Sequence, residues 1–434
     1  MNIDIIFSKN HKISKSKITE LPISSIQGNG FFLETENIIF INKNSNVSLT
    51  DLVISSNIYA DIENDFKGKS SSLIHINKAS FVYVKNIKLI PQKACSSHRT
   101  TGLINATSCN NLYISNIITI GSHLPFRLKD CKNININNIK ISNYETGFWF
   151  TECNDVSITN VIAKNNPITE YNWWIGCNST TKNNGKDTIL ASGNNYTIKN
   201  ITSYYPIERT GYLNISNSVV ENITSYNGSV KVSGKENNII ENVQVSKIKT
   251  IHDKPIRNRN ISMLTSPAYE SAFITYYSKN INVNDIHFIF CEGVDYIADG
   301  TISMSLFVEN INISGIYAKN LSVSHPVYGF LRANTNKNSS NIHLSNISLE
   351  NIGYKNKYKY YSTLMTITSD IVINNMNVFY NDKKFLCSDL IDISAINMLN
   401  YKPYIVVRNS NISLYQNIND TRSENLPNPP MHIN

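Results

Sequence analysis

The chain has 434 residues, of which 41% are hydrophobic and 17% are charged, and this composition excludes an intrinsically disordered protein. Its formal net charge of +8 is spread along the sequence, and no basic cluster or DNA-binding motif indicates a nucleic-acid partner. Seven cysteines without a C-x-x-C pair argue against a disulfide framework and a structural zinc site. We expect neither a signal peptide nor a membrane span, and therefore a protein of the bacterial cytoplasm or of a phage virion.

Three successive segments, SCNNLYISNI, DCKNININNI and ECNDVSITNV, repeat with a period of 22 residues. One column of this alignment holds cysteine and another holds asparagine: Cys109, Cys131 and Cys153, then Asn116, Asn138 and Asn160. We expect the cysteines to be buried thiols that face inward. Short runs rich in β-branched residues at this period predict coils of about three strands, each strand paired in parallel with its equivalent in the next coil.

The asparagine column continues along most of the chain. Its predicted members are Asp51, Asn86, Asn116, Asn138, Asn160, Asn200, Asn222, Asn242, Asp285, Gly315, Asn346 and Asn375. We expect them at one bend, where stacked amides hydrogen-bond along the axis. Over roughly residues 40 to 380 the pattern resembles the asparagine ladder of the pectate-lyase-like β-helix superfamily. The predicted fold is all-β, a single right-handed parallel β-helix of roughly a dozen coils with loop insertions.

We divide the chain into an N-terminal cap over residues 1–33, the β-helix over 34–416 and a polar C-terminal tail over 417–434. A cap would cover the first strand edge, which could otherwise recruit another chain. Departures from the period mark inserted loops, and in solenoids such loops usually build the binding face. The longest departures follow Asn160 and Asn242, and a shorter one follows Ile90.

Aromatic and cationic side chains in or beside these insertions are the candidates for contact with a sugar. Flat aromatic faces next to polar groups suit the apolar face of a sugar ring. The predicted substrate-binding residues are Arg127, Lys129, Trp149, Trp173, Trp174, His98, Arg99 and His252. Arg127 and Trp149 share an outward column one repeat apart. The alternative is that the tryptophans only anchor loops to the coils.

Two carboxyl groups one repeat apart are the first candidates for catalysis, since hydrolysis of a glycosidic bond uses such a pair. Asp130 and Glu152 share a column, so their backbones should lie about 4.8 Å apart. Glu145 and Glu170 are the reserve candidates. A solvated coil edge, with Lys129 neutralising Asp130, is the structural alternative.

A lyase would instead use an Arg or Lys base beside a group that neutralises a uronate carboxylate. The candidates for this chemistry are Arg127, Lys129, Arg209 and Lys231. The resemblance covers lyases, hydrolases, epimerases and tailspikes, and short motifs that mark some of these are missing from the sequence. The residues therefore leave hydrolase and lyase open.

These patterns predict a carbohydrate-active enzyme that cleaves or modifies a bacterial surface polysaccharide, an acidic one given the basic balance. The alternatives are a tailspike-like adhesin that binds the glycan without turnover and a cytoplasmic enzyme that modifies glycans without cleavage. A purely structural repeat protein would not need the clustered insertions. We expect no cofactor, and the nearest approach to a calcium site is the segment with Glu292, Asp295 and Asp299. The expected partner is a polysaccharide or oligosaccharide, and a homo-oligomer is compatible with the sequence.

Overall fold

The computed structural model describes nineteen segments of the chain. They are residues 3–13, 23–35, 39–42, 46–56, 72–91, 102–122, 124–144, 146–165, 187–206, 209–253, 271–291, 301–321, 330–335, 338–352, 354–355, 363–382, 385–387, 389–391 and 403–413. Every regular element in these segments is a β-strand. Helices long and apolar enough to cross a membrane do not occur in the described segments.

Short and long strands occur together along the chain, and each strand of nine or more residues contains a left-handed residue at which it bends. The first fourteen are β1 (Ile3–Ile6), β2 (His11–Ile13), β3 (Ile23–Gln27), β4 (Phe32–Thr35), β5 (Ile39–Asn42), β6 (Asn46–Ser56), β7 (Ile74–Asn77), β8 (Phe81–Pro91), β9 (Ile104–Thr107), β10 (Asn110–Ile120), β11 (Phe126–Lys129), β12 (Lys132–Ser142), β13 (Phe148–Lys164) and β14 (Ile189–Tyr204). The remainder are β15 (Gly211–Ser216), β16 (Ser218–Tyr226), β17 (Val230–Ser233), β18 (Ile240–His252), β19 (Phe273–Phe290), β20 (Ile302–Lys319), β21 (Leu331–Thr335), β22 (Ser340–Glu350), β23 (Tyr354–Lys355), β24 (Thr363–Ile367), β25 (Ile371–Phe379), β26 (Phe385–Leu386), β27 (Asp389–Ile391), β28 (Ile405–Arg408) and β29 (Asn411–Ile412).

Parallel pairing between equivalent strands of successive repeats builds the main sheet, which contains 27 strands. In β10 and β12, Ile114 lies opposite Ile136, and in β12 and β13, Ile136 lies opposite Ile158. The predicted all-β class, the parallel pairing and the 22-residue register are therefore confirmed. Strands β1 and β3, within the predicted N-terminal cap, belong to the same sheet through their pairing with each other and with β6.

Inward side chains form one continuous apolar core that runs from Phe7 to Cys387. In β12 the buried positions are Ile134 and Ile136, then Ile139 and Ile141. The alternation changes phase between the two pairs because Asn138 has a left-handed backbone, with φ of 57°, and turns the strand through a corner. The three stacked cysteines, Cys109, Cys131 and Cys153, are free and fully buried, as predicted.

The predicted asparagine ladder lies at this corner. The side-chain amide of Asn86 donates to Oδ1 of Asp51 at 2.7 Å, Asn116 donates to Asn86 at 2.9 Å, and Asn138 donates to Asn116 at 2.7 Å. Asparagine suits the position because its amide tolerates left-handed angles that cost most residues free energy. Asn160 departs from this order, because its amide donates to Oδ1 of Asn137 at 2.8 Å, and Asn200 and Asn222 resume it.

The prediction that Asn242 belongs to this ladder is wrong. Strand pairing places Lys247, with φ of 55°, opposite Asn222. Asn242 lies at the preceding corner, in a second ladder that the sequence analysis missed. The members that donate in turn along this second ladder are Asn242, Asn280, Asn310 and Asn341, at 2.9 to 3.0 Å. Asn242 and Lys247 are five residues apart, and the repeat pattern does not distinguish them because β18 contains both corners and each is followed by an apolar residue.

Candidate functional site

Charged and aromatic side chains gather in one outward-facing column of the sheet, which we call the cationic face. In successive strand pairs, this column contains His75, Asn105, Arg127, Trp149, Leu190, Tyr212, Lys231, Ile274, Ser303 and Arg332. Stacking at about 4.8 Å per strand places Arg127 and Lys231 roughly 19 Å apart. Ile274 and Ser303 are fully buried, so the part of the face that can contact an extended ligand runs from His75 to Lys231.

Lys231 lies between two tyrosine rings on this face, and its amine has a lowered pKa. Its Nζ is 4.8 Å from the ring centroid of Tyr212 on one side and 4.5 Å from that of Tyr276 on the other. The pKa of Lys231 falls from 10.5 to about 8, because desolvation by burial and the positive charge of Arg209 both lower it and Asp187 opposes them. A substantial fraction of this amine is therefore neutral just above neutral pH.

A buried ion pair lies beside Lys231. Nε of Arg209 donates to Oδ1 of Asp187 at 2.8 Å, and Nη2 donates to Oδ2 at 3.3 Å. Asp187 is 0% exposed and Arg209 is 7% exposed. Burial raises the pKa of the Asp187 carboxyl, and the guanidinium opposes that rise. The fork of two hydrogen bonds fixes Arg209, whose Cζ lies 4.8 Å from the centroid of Tyr212.

The Tyr212 ring thus contacts both cations. Burial raises the pKa of its phenol, so the hydroxyl stays protonated at neutral pH and can donate a proton or a hydrogen bond. An amine with a lowered pKa and a fixed guanidinium both lie against the ring of this phenol. This combination can remove a proton from carbon beside a carboxylate and return one to a departing oxygen.

Arg127 and Trp149 lie in the same column, one repeat apart, as predicted. The guanidinium carbon of Arg127 is 5.0 Å from the Trp149 ring centroid, within the range of a cation–π contact. Both side chains are half-buried, while Lys129 is exposed two residues further along the strand. Together they offer an anion partner and a flat apolar surface.

Asp130 and Glu152 lie at an exposed corner, next to this face, rather than within it. Both have left-handed backbones, with φ of 52° and 54°. The backbone N–H of Asp130 donates to the carbonyl of Thr151 at 3.0 Å, which fixes the predicted offset of one repeat. In the described segments, no ion pair joins Lys129 to Asp130.

The structure changes the view of His252. The ring is 1% exposed and stacks on Phe290 with centroids 4.6 Å apart, inside the core. It faces inward because Thr250 and His252 continue the buried alternation of β18. His252 is therefore corrected from a substrate contact to a packing residue.

Several predicted site residues lie outside the described segments, and their predictions stay untested. They are Glu145, Glu170, Trp173, Trp174, His98 and Arg99. The weak calcium candidate, Glu292, Asp295 and Asp299, also lies outside them. The described residues contain no group of three acidic, His or Cys side chains that could hold a metal ion.

Arg209 and Lys231 are candidates from the sequence alone, but their partners Tyr212 and Tyr276 and the ion pair of Asp187 with Arg209 emerge from the structure. One signal was present, since Asp187 and Arg209 are one 22-residue period apart. The two tyrosines could not be aligned in the same way because Tyr212 and Lys231 pair across a shorter repeat, and an insertion separates Lys231 from Tyr276.

No protein-family model matches the chain, and no curated protein matches it. Among solved structures, the chain is similar to the catalytic domain of GH87 alpha-1,3-glucanase in complex with nigerose, at 11% identity and a TM-score of 0.38, over 94% of this chain and 68% of that chain. A substituted form of a GH87 alpha-1,3-glucanase catalytic domain in complex with tetrasaccharides gives 10% identity and a TM-score of 0.35 with the same coverage. Identities and TM-scores this low carry no argument about activity.

Proposed function

We propose that this protein is a carbohydrate-active enzyme that cleaves an acidic polysaccharide, of the kind found on bacterial surfaces, by β-elimination. The observation that carries the proposal is the position of Lys231 between two tyrosine rings, beside the Arg209–Asp187 pair, with its pKa lowered to about 8. A lysine with a pKa near the working pH is suited to act as a general base.

In the proposed reaction, the neutral amine of Lys231 removes the proton from C5 of a uronate residue. The electron pair left on C5 forms a C4–C5 double bond as the bond from C4 to the glycosidic oxygen breaks. Tyr212 donates its phenolic proton to that departing oxygen, and the Lys231 ammonium later returns a proton to the phenolate. A uronate carboxylate beside the Tyr212 ring would lie near both Arg209 and Lys231, which favours the charge that develops on it.

The rest of the cationic face supports binding of a polymer rather than of a single sugar. Arg127 and Trp149 lie roughly 15–19 Å along the column from Lys231. Arg127 suits a second carboxylate, and Trp149 suits the apolar face of a sugar ring. We further propose that the parallel strands wind as one right-handed β-helix of roughly a dozen coils, so that this face forms a straight groove.

A hydrolase that uses Asp130 and Glu152 is the second candidate. The offset of one repeat between two exposed carboxylates favours it, because neighbouring strands keep acidic groups at the separation that glycosidases need. A third outcome is an adhesin that binds the polymer along the same face without turnover.

The test is incubation of the protein with alginate, polygalacturonate and hyaluronan, with separate measurement of reducing ends and of the ultraviolet absorbance of unsaturated uronates. The β-elimination proposal predicts both signals for at least one polymer, and Lys231→Met should lose both. Lys140→Met is the matched control, because Lys140 is an exposed lysine that lies outside the cationic face. Reducing ends without absorbance, lost in Asp130→Asn or Glu152→Gln, would support the hydrolase. Binding without either signal would support the adhesin and contradict catalysis.

A further inference from the structure

A second outward face, separate from the cationic face, carries its own pattern of side chains. It lies on the strand segments that follow the left-handed residues Ser108 and Asn111, whose φ values are 53° and 51°. One column of this face runs from Tyr83 and Tyr113 through Asn135 and Gln244 to His343, and the register continues to Ser48 before Tyr83 and to Val372 after His343. At about 4.8 Å per strand, the column extends over roughly 40 Å.

Exposed aromatic rings mark one end of this face. Tyr83 and Tyr113 lie opposite each other on neighbouring strands and are 37% and 41% exposed. Phe81, 42% exposed, stacks on Tyr113 with centroids 5.5 Å apart and ring planes 28° apart. The three large rings form an exposed apolar cluster, whereas most outward positions of this sheet are polar. The exposed part of such a cluster can pack against the apolar face of a sugar ring.

A cavity of about 750 Å³ lies at the other end of the same face. Amide and hydroxyl groups line it, among them Gln244, Ser246, Asn282 and Asn312. Its two oppositely charged residues, Lys199 and Glu221, are paired with each other at 3.1 Å. Four aliphatic side chains lie among these polar groups, so the lining combines hydrogen-bond donors and acceptors with apolar surface and carries little net charge, which suits a sugar with its hydroxyl groups and apolar ring face.

We propose that this neutral face, defined by the column from Tyr83 to His343 and the cavity, is a second glycan-binding site that takes a neutral polysaccharide. The charge difference between the two faces carries the assignment. The cationic face presents Arg127, Lys231 and Arg332, whereas the column of the neutral face carries no Lys, Arg, Asp or Glu between Tyr83 and His343. The column of the neutral face offers an acidic polymer no positive charge to bind, whereas an uncharged polymer needs none.

The experiment is affinity electrophoresis in gels that contain dextran, laminarin, arabinoxylan or galactomannan. At least one polymer should retard the protein. The double variant Tyr83→Ala, Tyr113→Ala should weaken that binding about tenfold, and Gln244→Ala about threefold. The combined change Tyr204→Ala, Tyr226→Ala is the matched control, since these two tyrosines stack on neighbouring strands of another face with centroids 4.6 Å apart, and it should leave the retardation unchanged.

Retardation by none of the four polymers, or retardation that survives both sets of changes, contradicts the proposal. A double variant that instead converts a dimer to a monomer in light scattering, with no change in retardation, also contradicts it and assigns the rings to a protein interface. The double variant should keep its activity on the acidic polymer within about twofold, because the rings lie on another face. Failure of this proposal and failure of the lyase proposal are therefore separate results.

Discussion

Replacing Lys231 with Met should stabilise the protein while abolishing turnover. The fall in the Lys231 pKa from 10.5 to about 8 corresponds to about 3 kcal/mol that the folded state loses by holding the protonated amine in a desolvated site. Methionine matches the length of lysine and carries no charge. The lost cation–π contacts with Tyr212 and Tyr276 offset roughly 1 kcal/mol of the gain, so we expect a net stabilisation of about 2 kcal/mol at pH 7.

The pH dependence of this gain is the decisive part. Between pH 8 and 10.5 the unfolded chain binds more protons at Lys231 than the folded chain does, so the stability of the native protein rises with pH across this window. The advantage of Lys231→Met is therefore nearly full at pH 7, and it shrinks by about 2.5 kcal/mol as the pH approaches 10, where the folded amine is already neutral. The titration of groups remote from Lys231 cancels because it is common to both proteins.

Thermal unfolding at pH 7 and pH 9.5 measures this difference. We expect the melting temperature of Lys231→Met to exceed that of the native protein by roughly 2–4 °C at pH 7, and by clearly less at pH 9.5. Lys129→Met should change neither value by more than about 1 °C, because Lys129 is exposed. A Lys231→Met protein that is less stable at pH 7, or a difference that does not vary with pH, would refute the reasoning about the buried amine.

Three further predictions concern the Lys231 amine, the Asp187–Arg209 ion pair and the asparagine ladder. The kcat/KM on an acidic polysaccharide should rise with pH through about 8, as Lys231 loses its proton, and a profile that is flat from pH 6 to 9 would exclude this base. Asp187→Asn should destabilise the fold by about 3–5 kcal/mol, because it leaves the buried Arg209 charge without its partner, and an unchanged midpoint in chemical denaturation would contradict this. The same variant should move the midpoint of the kcat/KM profile to lower pH, because Asp187 opposes the lowering of the Lys231 pKa. Asn138→Ala should lower the free energy of unfolding by about 2 kcal/mol, through left-handed backbone strain and the lost hydrogen bond to Asn116. Asn138→Gly should lower it by about 1 kcal/mol, because glycine adopts a φ of 57° freely. Equal losses for the two variants in urea denaturation would show that backbone strain contributes nothing.

Much of the scaffold could be predicted because the repeats from Cys109 to Asn160 contain no insertion. In that region, sequence position translates directly into strand register, and each column of identical residues has one physical reason. The buried cysteines pack inward, the isoleucines alternate into the core, and the asparagines hold a left-handed corner. The pairing of Arg127 with Trp149 followed from the same register.

Prediction failed where one strand contains two corners or where repeats differ in length. Asn242 and Lys247 each precede an apolar inward residue, so the pattern alone could not assign the ladder position. The contacts of Lys231 depend on residues from three strands separated by unequal lengths of chain. His252 looked polar and available, but strand alternation turns its ring into the core against Phe290.

The state of the Lys231 amine is the quantity on which the proposed chemistry depends, and it can be measured without knowledge of the natural polysaccharide. Reductive methylation of the full chain with 13C-labelled formaldehyde gives each lysine an NMR signal, and Lys231→Met identifies the signal of Lys231 by its loss. We predict a titration midpoint near pH 8 for that signal. A midpoint near the ordinary value of 10.5 would mean that the amine stays charged at neutral pH and would contradict its role as the base.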